Sequence, residues 1–455
     1  MANAYNTRSS NFWMLLIILA ALFMFGGSSR DDVQSLAILS PILILGCGLA
    51  ISTLKLEHWK KYKSVLGFYI LICTIVVFYL TLQPHTLFVS ADIGNTVRSI
   101  SSASQMDQKG QWIPMAPADT WGALTFLLGS LSVMLLSVQL PRDDLMFTVP
   151  LFIMAGVISG LLGMMQLISG VDEQLYPYQI TNSGSAVGLF ANRNHAAVFL
   201  ATLFPLLAFF SLRAGMNSRQ NGVRRIVACS IAIMLVPLIL VTGSRSGLLA
   251  ATLGLVGAFF IYTNGNHASD RASAVKPVTL VAPIVLAGLV FLSIYFARAE
   301  AIDRFFYESA VDNNRKDFWQ VAVKQFWSFY PFGFGPGSFV AVYQIDEPIF
   351  LLEAPYLNRL HNDWLEIALT FGVLGIVILL TGMVWYVGRA FQLWVNMDAA
   401  RSSVLLGRMA SIVIAIFALA SMSDYPMRTP VLAGFATLAL VWFAHARDDS
   451  AILGE

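Results

Sequence analysis

Apolar and polar positions alternate along this chain in long blocks rather than with the short periods of a soluble helix or strand. Apolar runs recur near 12–28, 34–54, 64–83, 120–140, 146–168, 188–211, 226–243, 246–263, 278–297, 364–388, 409–423 and 430–445. Each is long enough, or nearly so, to cross a hydrocarbon core of about 30 Å, which predicts about twelve membrane helices. Two long polar stretches interrupt them, 84–119 and 298–361. Basic residues crowd every second short loop: Lys55, Lys60, Lys61 and Lys63, then Arg142, then Arg213, Arg219, Arg224 and Arg225, and later Arg389, Arg401 and Arg408. Loop 169–187 carries none. The positive-inside rule therefore assigns both termini to the cytoplasm and the two long loops to the opposite side.

Composition agrees with a polytopic all-α membrane protein forming a single transmembrane domain over 1–455. With 57% hydrophobic and 12% charged residues and a mean hydropathy of +0.69, the chain has too little polar surface for a soluble globule. The first apolar run lacks a small-residue cleavage site and leads through Gly26-Gly27-Ser28-Ser29-Arg30 into the second, so it reads as an uncleaved helix. Cys47, Cys73 and Cys229 all fall in apolar runs and read as small hydrophobes. A net charge of +2 gives no reason to expect nucleic acid.

The two long loops differ in character. Loop 84–119 is rich in Ser and contains Pro84, Pro114 and Pro117, so it reads as irregular. Within 298–361, residues 315–330 fit an amphipathic helix lying in the membrane interface. Trp319, Ala322, Val323, Phe326 and Tyr330 share its apolar face, and Arg315 falls near the middle of that face. Such an arginine either snorkels to headgroups or reaches an anionic partner. The helix gives way to Pro331-Phe332-Gly333-Phe334-Gly335-Pro336-Gly337-Ser338, a turn that matches no dinucleotide fingerprint and suggests a tight return to the membrane surface.

Candidate chemistry gathers on the side of the long loops. His361, in His361-Asn362-Asp363-Trp364-Leu365-Glu366, precedes a helix that Asn362 or Asp363 can cap. The positive helix end disfavours imidazolium there and suits a general base, although a histidine at such a position can also be a simple helix-end group. Arg245 lies in Gly243-Ser244-Arg245-Ser246-Gly247, where Gly243 ends one helix and Ser244 caps the next, leaving outward N–H groups beside a guanidinium. The same arginine can also snorkel from a tight turn. Arg193 and Asn194, in Asn192-Arg193-Asn194-His195, open the sixth span in a similar way, and packed helix-end groups are their competing reading. Asp424, Tyr425 and Arg428, around Pro426 and Pro430, read as structural. There is no Asp-x-Asp clamp and no Walker loop. A departing diphosphate would therefore fall to arginines to stabilise.

Three segments together resemble the O-antigen ligase and polymerase family of bacterial envelope glycosyltransferases: the turn at 244–247; Arg315-x-x-x-Trp319 followed by the Pro331 to Gly337 turn; and His361-Asn362 leading to Gly372-x-x-Gly375. The stretch from Gly188 to His195 and the Pro-rich approach from Trp112 to Thr120 look similar too. The resemblance implies a membrane glycosyltransferase (GT-C-like) helical bundle in the bacterial inner membrane, with a large periplasmic loop. It implies metal-independent inverting transfer, without cofactor or nucleotide, from an undecaprenyl-diphosphate-linked glycan to an acceptor hydroxyl at the periplasmic face. His361 would be the general base. Arg245 and Arg315 would bind the donor diphosphate, with Arg193, Asn194 and Asn362 as further substrate contacts. The acceptor would be a second glycan repeat unit, the lipid A core or a protein. The outer loops lack a strong basic patch for a phosphorylated core, which tilts the reading towards a repeat-unit polymerase. Two other classes stay open: a transporter or flippase for lipid-linked glycans, and a non-catalytic envelope scaffold. The placing of ionisable residues at helix ends rather than at midplanes counts against transport.

Overall fold

The computed structural model describes residues 8–30, 34–83, 111–112, 116–169, 173–213, 218–269, 309–349, 357–397 and 402–446. Thirteen α-helices run through them: α1 (Ser10–Phe25), α2 (Gln34–Thr53), α3 (Leu56–Tyr79), α4 (Pro117–Val138), α5 (Arg142–Ser169), α6 (Arg193–Leu212), α7 (Ser218–Val241), α8 (Arg245–Ser269), α9 (Ser309–Ser328), α10 (Phe339–Asp346), α11 (Asp363–Phe391), α12 (Ser402–Ala420) and α13 (Pro430–His445). The only strands among these residues are two-residue segments, with Leu82 opposite Trp112 and Gln83 opposite Gln111. The chain is an all-helical polytopic membrane protein. Nine of the described helices are long and apolar enough to span a bilayer, and α1 and α13 are shorter apolar helices. The expected span at 278–297 and most of the loop at 84–119 lie outside the described residues.

What each helix buries explains the arrangement. Helix α6 is apolar all round, and nearly every residue from His195 to Ser211 is buried, so it forms the axis of the bundle. Helices α5, α7, α8 and α12 pack around it. Small residues set the closest of these approaches: a methyl group on Gly247 would collide with Ala197, and one on Gly254 would stand 2.6 Å from the Ala201 carbonyl. Seven residues apart, these glycines form a smooth stripe that draws α8 onto α6. Aromatic rings tie the other layer together. Phe152 of α5 stacks on Phe435 of α13 at 4.1 Å, with Phe199, Phe417 and Trp442 edge-on around the pair. Large apolar side chains such as Leu45, Ile168, Ile226 and Val384 point outward, which water would penalise and a hydrocarbon core does not.

Helix α11 is broken. Gly372 has φ +56 and ψ −137, a conformation that essentially only glycine adopts. The Gly-rich turn after α9 docks its backbone into the gap. Val373 N–H donates to Pro331 O at 2.7 Å, Gly335 N–H to Thr370 O at 2.9 Å, and the Tyr79 hydroxyl of α3 donates to Phe332 O and Phe371 O. The turn expected to re-enter the membrane surface is therefore the piece that fills a broken helix. At its far end it holds α4, because Thr120 Oγ1 donates to Pro336 O at 2.7 Å and Ala116 N–H to Ser338 Oγ at 3.0 Å.

Helix α9 begins six residues before the expected 315–330 segment, and its apolar face divides. Ala322 turns into the protein together with Gln325, between Phe318 and Phe329, a stripe at helical spacing. Gln325 Nε2 donates to Val342 O and to Asp346, fastening α9 to α10. Trp319, Val323, Trp327 and Tyr330 face outward. Tryptophan and tyrosine suit a boundary that is apolar on one side and wet on the other.

Candidate functional site

Three helix starts meet at one end of the bundle. At α6, Asn192 accepts from Asn194 N–H at 2.8 Å. At α8, Ser244 accepts from Gly247 N–H at 3.0 Å. At α11, Asn362 accepts from Leu365 N–H at 3.0 Å. Each is a side-chain cap on an orphan helix donor, and the remaining first-turn N–H groups give each start a partial positive charge. Gly243, at φ +64, makes the turn between α7 and α8 with no loop to spare. A methyl group there would stand 3.7 Å from Arg193 Nη1, so the Arg193 guanidinium lies against the Arg245 turn. Arg193 is half-buried and Arg245 exposed, each at the first position of its helix. Two arginines on two adjacent helix starts form a natural anion site.

His361 has φ +56, the only non-glycine residue with positive φ among those described. Such a conformation persists when its surroundings impose it. Here the preceding Leu360 N–H donates to Glu366 Oε2 at 3.0 Å, and Asp363 N–H donates to Ser421 O at 2.9 Å. The imidazole Nδ1 turns inward to Asp424 Oδ1 at 3.5 Å, while 26% of the side chain stays open. With Nδ1 directed at the carboxylate, Nε2 is the ring nitrogen that can serve a ligand on the open side.

Asp424 is almost fully enclosed and stands between two histidines, with His195 Nε2 at 3.9 Å from the same oxygen. The Thr429 hydroxyl meets the other nitrogen of His195 at 2.8 Å. Tyr425 wedges between the two imidazoles, edge to face with His195 at 5.2 Å and with His361 at 4.8 Å. Burial pushes the Asp424 carboxyl up. The imidazoles of His361 and His195 and the Asn194 side chain outweigh it and hold the group at about 2. Burial likewise drives the Tyr425 phenol well above its usual range, and the Asp424 charge adds to this.

Beneath lies a second set of charges. Arg428 meets Asp363 at 3.2 Å and Glu366 at 3.3 Å, and Arg359 reaches Glu366 at 3.7 Å. Ser421 and Met427 N–H complete the acceptor shell of Asp363. Removing one member would leave an opposite charge buried and uncompensated. The cluster fixes the 357–363 approach against the α12–α13 connection, and so fixes His361 against Asp424.

The structure brings Asn194 and His361 to Asp424, keeps Asn362 as the cap of α11 next to His361, and places the Arg245 turn beside Arg193. Arg315 lies on α9, sixteen residues before Pro331 of the segment docked into α11, and its side chain lies outside the described residues. Of the Asp424, Tyr425 and Arg428 group, read as structural from sequence, Asp424 and Tyr425 face His361 directly, and Arg428 pairs with Asp363 and Glu366 beneath them. His195 reads from sequence only as one of the packed helix-end groups that open the sixth span, with no role in the site. The available signal was the pairing of an ionisable residue with a helix start on each side of the 421–429 connection.

Residues 229–380 match the O-antigen ligase family model. No curated protein matches the chain. The matched segment runs from within α7 to within α11, taking in Arg245, Arg315 and His361, whereas Arg193, His195 and Asp424 lie beyond it. Over this segment, a third of its length, the chain is similar to the O-antigen ligase family.

Proposed function

We propose that the protein transfers a glycan from undecaprenyl diphosphate to an acceptor hydroxyl at the periplasmic face of the bacterial inner membrane, by inversion and without a metal. The observation that carries this reading is the inward-held Nδ1 of His361, 3.5 Å from a buried carboxylate, beside helix starts that present Arg193 and Arg245. As the acceptor oxygen bonds to the anomeric carbon, the carbon–oxygen bond to the diphosphate breaks and its electron pair leaves with undecaprenyl diphosphate. The hydroxyl proton passes to His361 Nε2. Asp424 fixes the tautomer and stabilises the charge developing on the ring. Charge growing on the diphosphate meets Arg245 and Arg193, with Arg315 joining from α9. Forked guanidinium donors match phosphate oxygens in pairs, which suits this role better than a lysine point charge.

A broken membrane helix is also a transporter feature, with freed backbone groups binding the cargo. In α11 the protein itself takes up these groups: Leu369 O, Thr370 O and Phe371 O accept from Phe334 N–H, Gly335 N–H and the Tyr79 hydroxyl. That favours a fixed support for the site over an ion pathway.

Among acceptors we favour a second repeat unit, making the protein a polysaccharide polymerase. Glycan analysis of a deletion strain complemented with the chain tests this. Single repeats on the lipid A core, extended to long chains by the chain, support a polymerase. Full-length glycan stranded on undecaprenyl diphosphate in the deletion strain would make it a ligase.

A further inference from the structure

His195 is a wholly buried imidazole that the transfer step does not use. Its Nδ1 is engaged by the Thr429 hydroxyl, and its Nε2 has no hydrogen-bond partner within good geometry, although it points at Asp424 Oδ1 from 3.9 Å. His361 addresses the same oxygen from the opposite side at 3.5 Å. Tyr425 fills the space between the rings and keeps the two imidazoles apart. Of the buried polar atoms without a partner among the described residues, His195 Nε2, His361 Nδ1 and Asp424 Oδ2 all lie at this one place. Unpaired buried polar atoms are few in folded proteins, so three at one place call for a specific role.

We infer that His195 is a positioning residue, which holds the Asp424 carboxylate in the orientation that serves His361. If Thr429 donates to Nδ1, the proton of His195 sits on Nε2 and points at the carboxylate. The Thr429–His195–Asp424–His361 series then fixes every partner in turn and ends at the one ring that reaches the open side. The idea builds on the transferase reading in taking His361 as the base. It adds that α6, outside the matched family segment, supplies a working part of the site.

The test uses the full-length protein in detergent or nanodiscs and diethyl pyrocarbonate as the probe, with carbethoxylation of His361 followed by mass spectrometry. Melting temperature confirms that each variant is folded. His195→Leu and Asp424→Asn are each expected to slow modification of His361 by about tenfold, and the double variant to be no slower than either, since the residues act in series. His195→Gln, which keeps an N–H donor, should stay within about threefold of wild type. Should His195→Leu fail to fold, the isosteric Thr429→Val removes the other end of the series and should slow His361 in the same direction. An unchanged rate at His361 in His195→Leu and Thr429→Val overturns the inference, as do losses that simply add to that of Asp424→Asn. Because the probe needs neither donor nor acceptor, the two ideas fail separately. Transfer surviving in His361→Ala removes the base but leaves the coupling standing. Loss of transfer in His361→Ala with no coupling removes only the role of His195.

Discussion

His361 Nδ1 and Asp424 Oδ1 lie 3.5 Å apart although the first residue precedes α11 and the second follows α12. The contact closes the α11–α12 hairpin across its open end, and the Arg428 pairs with Asp363 and Glu366 lock it from below. Asp424→Asn keeps the shape and removes the charge that steadies the imidazole. It is expected to lower kcat by about a hundredfold or more while leaving the donor KM nearly unchanged, as measured by initial rates in membranes. A variant with wild-type kcat would separate Asp424 from the chemistry.

The arginines answer a different question. Arg245→Lys and Arg315→Lys keep the positive charge but lose the two-pronged geometry, so each is expected to lose at least about tenfold in transfer. Release of undecaprenyl diphosphate from labelled donor reads this directly. Full activity in both would make these residues headgroup anchors.

Gly372 tests the docking of the Gly-rich turn. An alanine there must adopt φ +56 with its methyl group driven into the Pro331 carbonyl. Gly372→Ala is expected to destabilise by at least about 1–3 kcal/mol and to reduce transfer, because the turn after α9 loses its seat. Gly388→Ala is the control, since a methyl group there meets open space. Equal melting temperatures for both variants would show that the break is not held by this contact.

Acid should undo the site in a defined window. The Asp424 carboxyl sits at about 2 in the folded protein against an ordinary value of 3.8. A folded value below the unfolded one means that the stabilisation is fully present above about pH 4 and is lost as the pH falls towards 2. The gap corresponds to stabilisation on the order of 2 kcal/mol. Thermal melts should therefore drop between pH 4 and pH 2 in wild type and drop less in Asp424→Asn. Parallel curves would contradict the assignment.

Local features were legible in the sequence because they depend on neighbours a few residues away. The caps Ser244 and Asn362 and the turn at Gly243 fall where capping chemistry puts them. Nine of the twelve apolar runs coincide with described helices long enough to span, because a bilayer demands length and little else, while the first and last runs form shorter apolar helices. The partners of His361 were not legible. Asp424 reaches it, and His195 reaches Asp424, only through the stacking of α6 and α11 against the α12–α13 connection, a long-range choice that no local pattern encodes. The same holds for α9, whose division into a protein face through Ala322 and an outward face through Trp327 depends on where α10 lies. The break at Gly372 was visible only as one glycine among several, since its cause is the turn from Pro331 inserted beside it.

The most direct measurement is transfer by His361→Ala in membranes from a deletion strain, using lipid-linked donor extracted from the same strain and protein checked for wild-type melting. The account expects no product above background while donor binding persists, because the arginines and helix starts remain. Product at the wild-type rate from a folded His361→Ala protein would contradict it, and would return the chain to a transport or scaffolding role.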